Sequence, residues 1–381
     1  MHILKICHDY PNYYRQSSGF FCHQQAQAVS GFCRVGVLAI ELISPQLIFK
    51  RGLKIGIQPS TDQRLNQLVF LFPNIPKVIR LQYAIRLALG KYLFDKYIKD
   101  FGKPDLIHLH VYVMGELAAW IKEKYDIPIV YTEHFSNVSR NQLTRSGNYA
   151  INRVIATSDY RIAVSKQFKN LLENKYHVKF NYVPNLYQSD IFYYTSPVKN
   201  NNYFTFINVG YLNKNKNHLR LLKAFKQVHN QIPHVRLIIV GSGPEKANLT
   251  SFIRKNCLEK NVILAGEKNS IQLKSLFDKS HVKVLSSNIE TFGVVLIEAM
   301  ACGLPIISTK SGGPESIIEN ESLGILVEKE DYDLYLAMKK VLENYNNYNL
   351  KLISENALLK YSYNAIGKRL FNIYTQCLLD Y

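Results

Sequence analysis

The chain has 381 residues, 47% hydrophobic and 20% charged, with a formal net charge of +18. That length exceeds what one compact core serves and suits two domains. The composition is ordinary for a globular protein and excludes disordered, fibrous and disulfide-framework classes.

The opening "MHILKICHDYP" alternates like a strand. It lacks a charged lead, an apolar block and a cleavage site, so no secretory leader is expected. No run of about 18 uncharged apolar residues occurs, so no membrane-spanning helix is expected. Cys7, Cys22, Cys33, Cys257, Cys302 and Cys377 form no C-x-x-C pair and no zinc spacing with histidines, which reads as reduced thiols. The basic excess suits nucleic acid, anionic lipid or phosphorylated small molecules. The first 195 residues hold 24 basic against 13 acidic residues, so +11 of the excess lies there.

In chain order, the first half offers the strands "HILKIC", "VGVLAI", "LVFLF", "DLIHLHVY", "IPIVYTEH" and "YRIAVS", with helical stretches between most of them. After the first strand, Gly19 precedes a helix predicted over Phe20 to Val29. A glycine at such a turn lets backbone N–H groups approach an anion. Pro76 to Asp100 mixes Lys77, Arg80, Arg86, Lys91, Lys96 and Lys99 with apolar residues. It reads either as a basic helix resting on an anionic bilayer or as a solvated helix with one packed face, and both stay open. His108 and His110 share one strand face with no carboxylate or cysteine in the motif, which favours hydrogen-bonded core histidines over a metal pair. His134 stands at a strand's carboxyl end, where a substrate contact belongs.

Leu186 to Tyr203 lacks periodicity, contains Pro197 and ends in an Asn cluster, which marks a domain boundary. Beyond it come "FTFINVG", "VRLIIVG", "NVILAG", "VKVLSS", "LPIIST" and "GILVE", again separated by helical stretches. Twofold repetition of this alternation predicts an α/β protein of two doubly wound, Rossmann-like domains. Ligands of such sheets bind outside the carboxyl ends of the strands, so the expected site is a cleft where those ends face each other.

Several loops of the second half carry chemistry. Gly210 ends a strand and is followed by Tyr211, Lys214 and Lys216, placed to meet a phosphate. "IVGSGPEKANL" begins like a dinucleotide fingerprint but has Lys246 at the third glycine position, so it reads as a tight turn without NAD. In "ETFGVVLIEAMACG", Gly293 opens a helix and Gly303 closes it. Backbone N–H groups of Phe292, Gly293 and Val294 then present partial positive charge. Glu290 sits at that turn and Glu298 lies within the apolar run. An unpaired buried carboxylate costs several kcal/mol, roughly 3 to 5 if a partner is removed. A ribose diol would supply two donors to Glu298; a lysine or a backbone N–H is the structural alternative. Gly312 and Gly313 edge the same place, with Glu315 as a first-turn acid. From Asp331 onward only helices are expected, and Asp331 and Asp333 read as helix capping, not as a metal site.

These loops, in this order, resemble the family 4 glycosyltransferases with the GT-B fold. "SNIETFGVVLIEAMACGLP" matches the family's paired glutamates, and "DLIHLH", "TEH", "AVS", "VPN", "IVGSGP" and "SGGPESI" extend the likeness over nearly the whole chain. The resemblance implies a retaining, metal-independent glycosyltransferase moving a sugar, expected to be a hexose, from a nucleotide-diphosphate sugar to an acceptor hydroxyl. Residues 1–190 would bind the acceptor, rejoined by a C-terminal helix over 363–381, and residues 200–360 the nucleotide sugar. Glu290 would hold the donor sugar, Glu298 the ribose and Lys216 the diphosphate, helped by N–H groups near Gly19 and Gly293. His134 would contact the donor sugar or lie beside the acceptor. Tyr211 stands where the family usually has Arg, and Ser18–Gly19 where two glycines are common. Base selectivity is expected near Leu264 to Ser270. Family habit and the basic first half point to a glycan or lipid-linked acceptor in bacterial envelope polysaccharide synthesis, in the cytoplasm at the inner membrane face. No cofactor and no nucleic-acid partner are expected. A nucleotide-sugar-binding protein without transfer activity is the alternative.

Overall fold

A computed structural model describes all residues except 13, 16, 17, 75–77, 141, 198, 200 and 201, and the side chains of residues 50, 51, 79, 80 and 136. The chain divides into two compact units. The first comprises Met1–Val164, Phe168–Leu186 and Tyr363–Tyr381; the second comprises Ser165–Gln167 and Tyr187–Ser362.

The first unit is built on β1 (His2–Cys7), β2 (Arg34–Ile43), β3 (Gly56–Ile57), β4 (Asn66–Pro73), β5 (Leu106–His110), β6 (Ile129–Glu133), β7 (Tyr160–Ala163) and β8 (Asn181–Tyr182). Their spatial order is β3-β4-β2-β1-β5-β6-β7-β8, parallel throughout except for the antiparallel β3–β4 pair. The six expected strands are all present. The two additional ones, β3 and β8, are two-residue edge strands, too short to show a period in sequence. Central strands covered on both faces must be apolar nearly throughout. Accordingly every residue of β1, β5 and β6 is buried, Lys5, His108 and His110 included. The helices are α1 (Phe20–Ser30), α2 (Pro45–Arg51), α3 (Ile79–Phe101), α4 (Gly115–Tyr125), α5 (Ser136–Ser139), α6 (Arg145–Thr157) and α7 (Lys166–Tyr176).

The second unit carries β9 (Phe204–Val209), β10 (Val235–Val240), β11 (Val262–Gly266), β12 (Val282–Leu285), β13 (Ile306–Thr309) and β14 (Gly324–Val327), all parallel in the order β11-β10-β9-β12-β13-β14. Its helices are α8 (His218–Gln231), α9 (Lys246–Lys255), α10 (Ser270–Asp278), α11 (Val294–Ala301), α12 (Asp331–Glu343) and α13 (Leu350–Tyr361). Local chemistry sets their ends. The Asn217 side chain caps α8 by accepting from the Arg220 N–H, and Asn269 with Gln272 forms a capping box on α10. The apolar face of α8, through Leu221, Leu222, Phe225 and Val228, packs with Phe206, Leu237 and Met338 into one core.

The last helix, α14 (Tyr363–Asp380), belongs to the first unit, as the resemblance implied. Its buried face of Ile366, Leu370, Tyr374 and Cys377 joins Ala26 and Val29 of α1 in the first unit's core. The Tyr374 hydroxyl lies 2.6 Å from His108 Nδ1. Among the described residues no helix is long and apolar enough to cross a membrane.

Candidate active site

Parallel strands place their carboxyl ends on one edge of a sheet, so the loops after β9, β10, β12 and β13 converge in the second unit. Hydrogen bonds stitch them together. Asn215 Nδ2 donates to the Ile289 carbonyl at 2.9 Å, and the Asn288 N–H donates to the Asn215 carbonyl at 2.8 Å. Ser286 Oγ donates to the Lys216 carbonyl at 2.9 Å. Thr309 Oγ1 donates to the Ser287 carbonyl at 2.6 Å, and the Gly313 N–H donates to the Glu290 carbonyl at 2.7 Å. The Leu212 N–H reaches the Ser242 carbonyl at 2.7 Å and brings in the loop after β10.

This framework joins the two residues that sequence placed 74 positions apart: Lys216 Nζ and Glu290 Oε2 form an ion pair, with side chains 22% and 15% exposed. Partial burial lets such a pair act on a ligand with little screening. Asn213 Oδ1 holds the Lys216 backbone, accepting its N–H at 3.0 Å. Gly293 caps α11 in the left-handed region, at φ 103°, where a side chain is strained. Among the described residues no acceptor answers the N–H groups of Phe292, Gly293 or Val294. The helix entrance therefore offers unused donors beside the ion pair. Tyr211 and Lys214, on the loop after Gly210, are both exposed, and Lys214 forms no ion pair among the described residues.

Glu298 lies on α11, partly buried, and among the described residues its carboxylate accepts no hydrogen bond. Burial pushes its pKa up to about 7, while the Lys283 ammonium pulls it back. Lys283 went unread in the sequence. It is fully buried on β12, and its Nζ donates to the Val284 carbonyl at 3.3 Å. Burial holds it well below the usual lysine value and Lys216 pushes it further down, against the pull of Glu298 and Glu290. His218 was missed as well: it opens α8, neither ring nitrogen has a partner among the described residues, and burial lowers it to about 4. A lysine inside "VKVLSS" and a histidine beginning a helix carry no signal until the strand order is known.

In the first unit, Gly19 caps α1 at φ 55°, and a β-carbon there would run into the Asp9 carbonyl. Ser18 Oγ is committed to Glu41 Oε1 at 2.9 Å, and Glu41 also pairs with Arg15 and accepts from Asn12 Nδ2 at 2.8 Å. The buried Glu41, unread in sequence, is what shapes this loop. His134 follows β6; its Nε2 lies 3.2 Å from His110 Nδ1, and its own Nδ1 has no partner among the described residues. Burial lowers it to about 3, with Lys5 and His8 adding to the effect, so the ring is neutral at pH 7. The His134 and Phe135 N–H groups donate to Glu133 Oε1 at 2.8 and 2.7 Å. His108 and His110 are buried and hydrogen-bonded, as expected.

One expectation needs correction. Asp331 does not cap α12 through its side chain, since Glu330 occupies the N-cap; Asp331 instead pairs with Lys223 at 3.0 Å. Of the cations in the Pro76–Asp100 stretch, Lys99 is exposed and others are engaged within the chain. Lys77 and the Arg80 side chain lie outside the described residues. Lys91 sits 5.1 Å over Trp120, and Lys96 pairs with Asp100 at 2.9 Å. Arg86 Nε is buried.

Two parallel-sheet Rossmann-like units, one carrying a lysine–glutamate pair beside a helix N-terminus, define the class of GT-B glycosyltransferases. The family model described as Glycosyl transferases group 1 matches residues 192–358, and that described as Glycosyltransferase Family 4 matches residues 56–186. The chain belongs to this glycosyltransferase family. It is 29% identical over 294 residues to an uncharacterized glycosyltransferase of Methanocaldococcus jannaschii, covering 76% of this chain and 79% of the relative. In structure it is similar to sucrose-phosphate synthase from Thermosynechococcus elongatus, with a TM-score of 0.80, 18% identity and all of both chains covered. It is also similar to Anabaena HepE in complex with UDP, with a TM-score of 0.74, 17% identity, and 99% of this chain and 100% of that chain covered.

Proposed function

We propose that this glycosyltransferase moves a hexosyl unit from a nucleoside-diphosphate sugar to an acceptor hydroxyl with retention of anomeric configuration. The observation that carries the reading is the Lys216–Glu290 pair beside the unanswered N–H groups of Phe292, Gly293 and Val294. Breaking a glycosyl–phosphate bond develops charge on the departing diphosphate, and preorganised donors stabilise charge where it grows. Lys216 and the α11 entrance provide positive charge without a metal ion. The donor-binding residues are then Gly210, Tyr211, Lys214, Lys216, Glu290, Phe292, Gly293, Val294 and Glu298, with Glu290 on the sugar hydroxyls and Glu298 on the ribose. UDP bound to the structurally similar HepE supports a nucleoside diphosphate as the leaving group. The acceptor oxygen attacks from the face the diphosphate leaves, and a diphosphate oxygen takes its proton. In the first unit, His134 is the substrate-facing residue and the Gly19 turn a second source of N–H donors.

The acceptor is read as a glycan or lipid-linked sugar of envelope polysaccharide synthesis at the inner membrane face. Incubation of the chain with UDP-, GDP- and ADP-hexoses, lipid-linked acceptors and excess chelator tests the reaction, with product configuration read by NMR. Inverted product, or activity that disappears with the chelator, would overturn the respective part of the reading. Exposed Tyr211, where a cation is usual in the family, favours a second reading as a nucleotide-sugar binder. Tight nucleotide binding with no turnover on any acceptor would establish that reading.

A further inference from the structure

We propose a buried soft-metal site in the first unit, formed by Cys7, Cys22 and His110, whose occupant is copper(I). One ligand atom from each of these three side chains lies within 4.8 Å of the other two, and all three residues are buried. The fold brings them together from remote positions. Cys7 ends β1 and His110 ends β5, and these strands are neighbours paired at Ile6 and Leu109, so the next residues along lie side by side. Cys22 comes down from the first turn of α1, which opens at the Gly19 cap. Neither C-x-x-C spacing nor a cysteine–histidine motif announces such a site, because its ligands come from three separate elements.

Donor chemistry selects the ion. Two sulfurs and one imidazole are a soft set, and thiolates favour copper(I) and zinc over hard cations. Structural zinc is almost always four-coordinate. Among the described residues the group holds three donors and no carboxylate, which fits a three-coordinate monovalent ion. Lys5 Nζ lies 3.4 Å from His110 Nε2, and beside that cation two thiolates and a monovalent ion leave the enclosed charge near zero. A dication would leave an excess that the interior disfavours. With His110 Nε2 as the ligand atom, its Nδ1–H donates to His134 Nε2 at 3.2 Å, which fixes the tautomer and orients the ring. The ion would tie β1, α1 and β5 together beneath the Gly19 turn and His134. Its role is structural, separate from sugar transfer.

The test uses the reduced, metal-free full chain under anaerobic conditions, titrated with copper(I) held by the chromogenic chelator bicinchoninate. One equivalent is expected to move from the chelator to the chain, with thiolate-to-copper absorption in the ultraviolet and a raised melting temperature. The double variant Cys7→Ser, Cys22→Ser is expected to lose that equivalent, His110→Gln to weaken it at least about tenfold, and Cys257→Ser, at an exposed thiol, to keep it. Circular dichroism checks that each variant folds. X-ray absorption of the copper-loaded wild-type chain reads the site independently and should count two sulfur neighbours and one nitrogen. Copper retained by the folded double variant, a different set of neighbours, zinc displacing copper from the chain, or a Cys7–Cys22 disulfide found by mass spectrometry would each overturn the proposal.

Discussion

Lys216 and Glu290 satisfy each other's charge, so a diphosphate and a sugar reaching this place would each draw on one member of the pair. Lys216→Ala is expected to lower turnover about a hundred- to a thousandfold, the range for loss of one donor to a developing anion. Lys216→Arg should recover part of it; steady-state kinetics with the best donor measures both. Glu298 gives a pH signature. Its carboxyl is raised to about 7 in the fold, above the ordinary carboxylate value, so between roughly pH 4.5 and 7 the folded chain binds more protons than the unfolded one. Stability from this group therefore falls as pH rises through that window, by up to about 2–3 kcal/mol. Glu298→Gln should flatten the fall, measured by urea unfolding at pH 5 and pH 8. Buried Glu133, also raised to about 7, adds a second slope, so Glu133→Gln is the companion measurement. Donor affinity should move oppositely, rising from pH 6 to pH 8, because hydroxyl donors favour the ionised Glu298. A flat affinity profile in wild type would remove Glu298 from the ribose.

At the scale of elements, one helix entrance and one terminal helix matter most. Gly19 holds φ 55°, and a β-carbon there meets the Asp9 carbonyl, so Gly19→Ala should cost about 1–3 kcal/mol and displace the start of α1. The midpoint of chemical denaturation reads the cost; an unchanged midpoint would mean the turn relaxes freely. For α14, Tyr374→Phe removes a buried hydroxyl 2.6 Å from His108 and should cost about 1–2 kcal/mol. Deleting residues 363–381 uncovers Ile366, Leu370 and Tyr374 and the α1 residues they cover, each large side chain contributing about 1.5–3 kcal/mol on burial. Loss of soluble, protease-resistant first unit is the expected outcome. The sequence showed α14 as a periodic helix, and only the family resemblance said where it goes. Nothing in "YSYNAIGKRLFNIY" names α1 as its partner, because an amphipathic stripe states that a face must be covered and leaves the cover unspecified.

For the whole molecule, ligand linkage separates binding from transfer. A nucleoside diphosphate at a hundred times its dissociation constant should stabilise the chain by about 2.7 kcal/mol. Lys216→Ala should lose most of that gain, and calorimetric scans with UDP, GDP and ADP would also identify the base. The sequence by itself determined two doubly wound α/β halves, the order of their loops and the polar residues those loops carry. Strand periodicity, helix stop signals and the glutamate-bearing motif are all encoded within short windows. Tertiary structure alone decided the pairings across long separations: Lys216 with Glu290, Glu298 near the buried Lys283, Ser18 on Glu41, and Cys7 with Cys22 and His110. The physical reason is that a parallel sheet gathers the carboxyl ends of strands distant in sequence onto one edge. Contacts made there depend on strand order, which no local pattern contains.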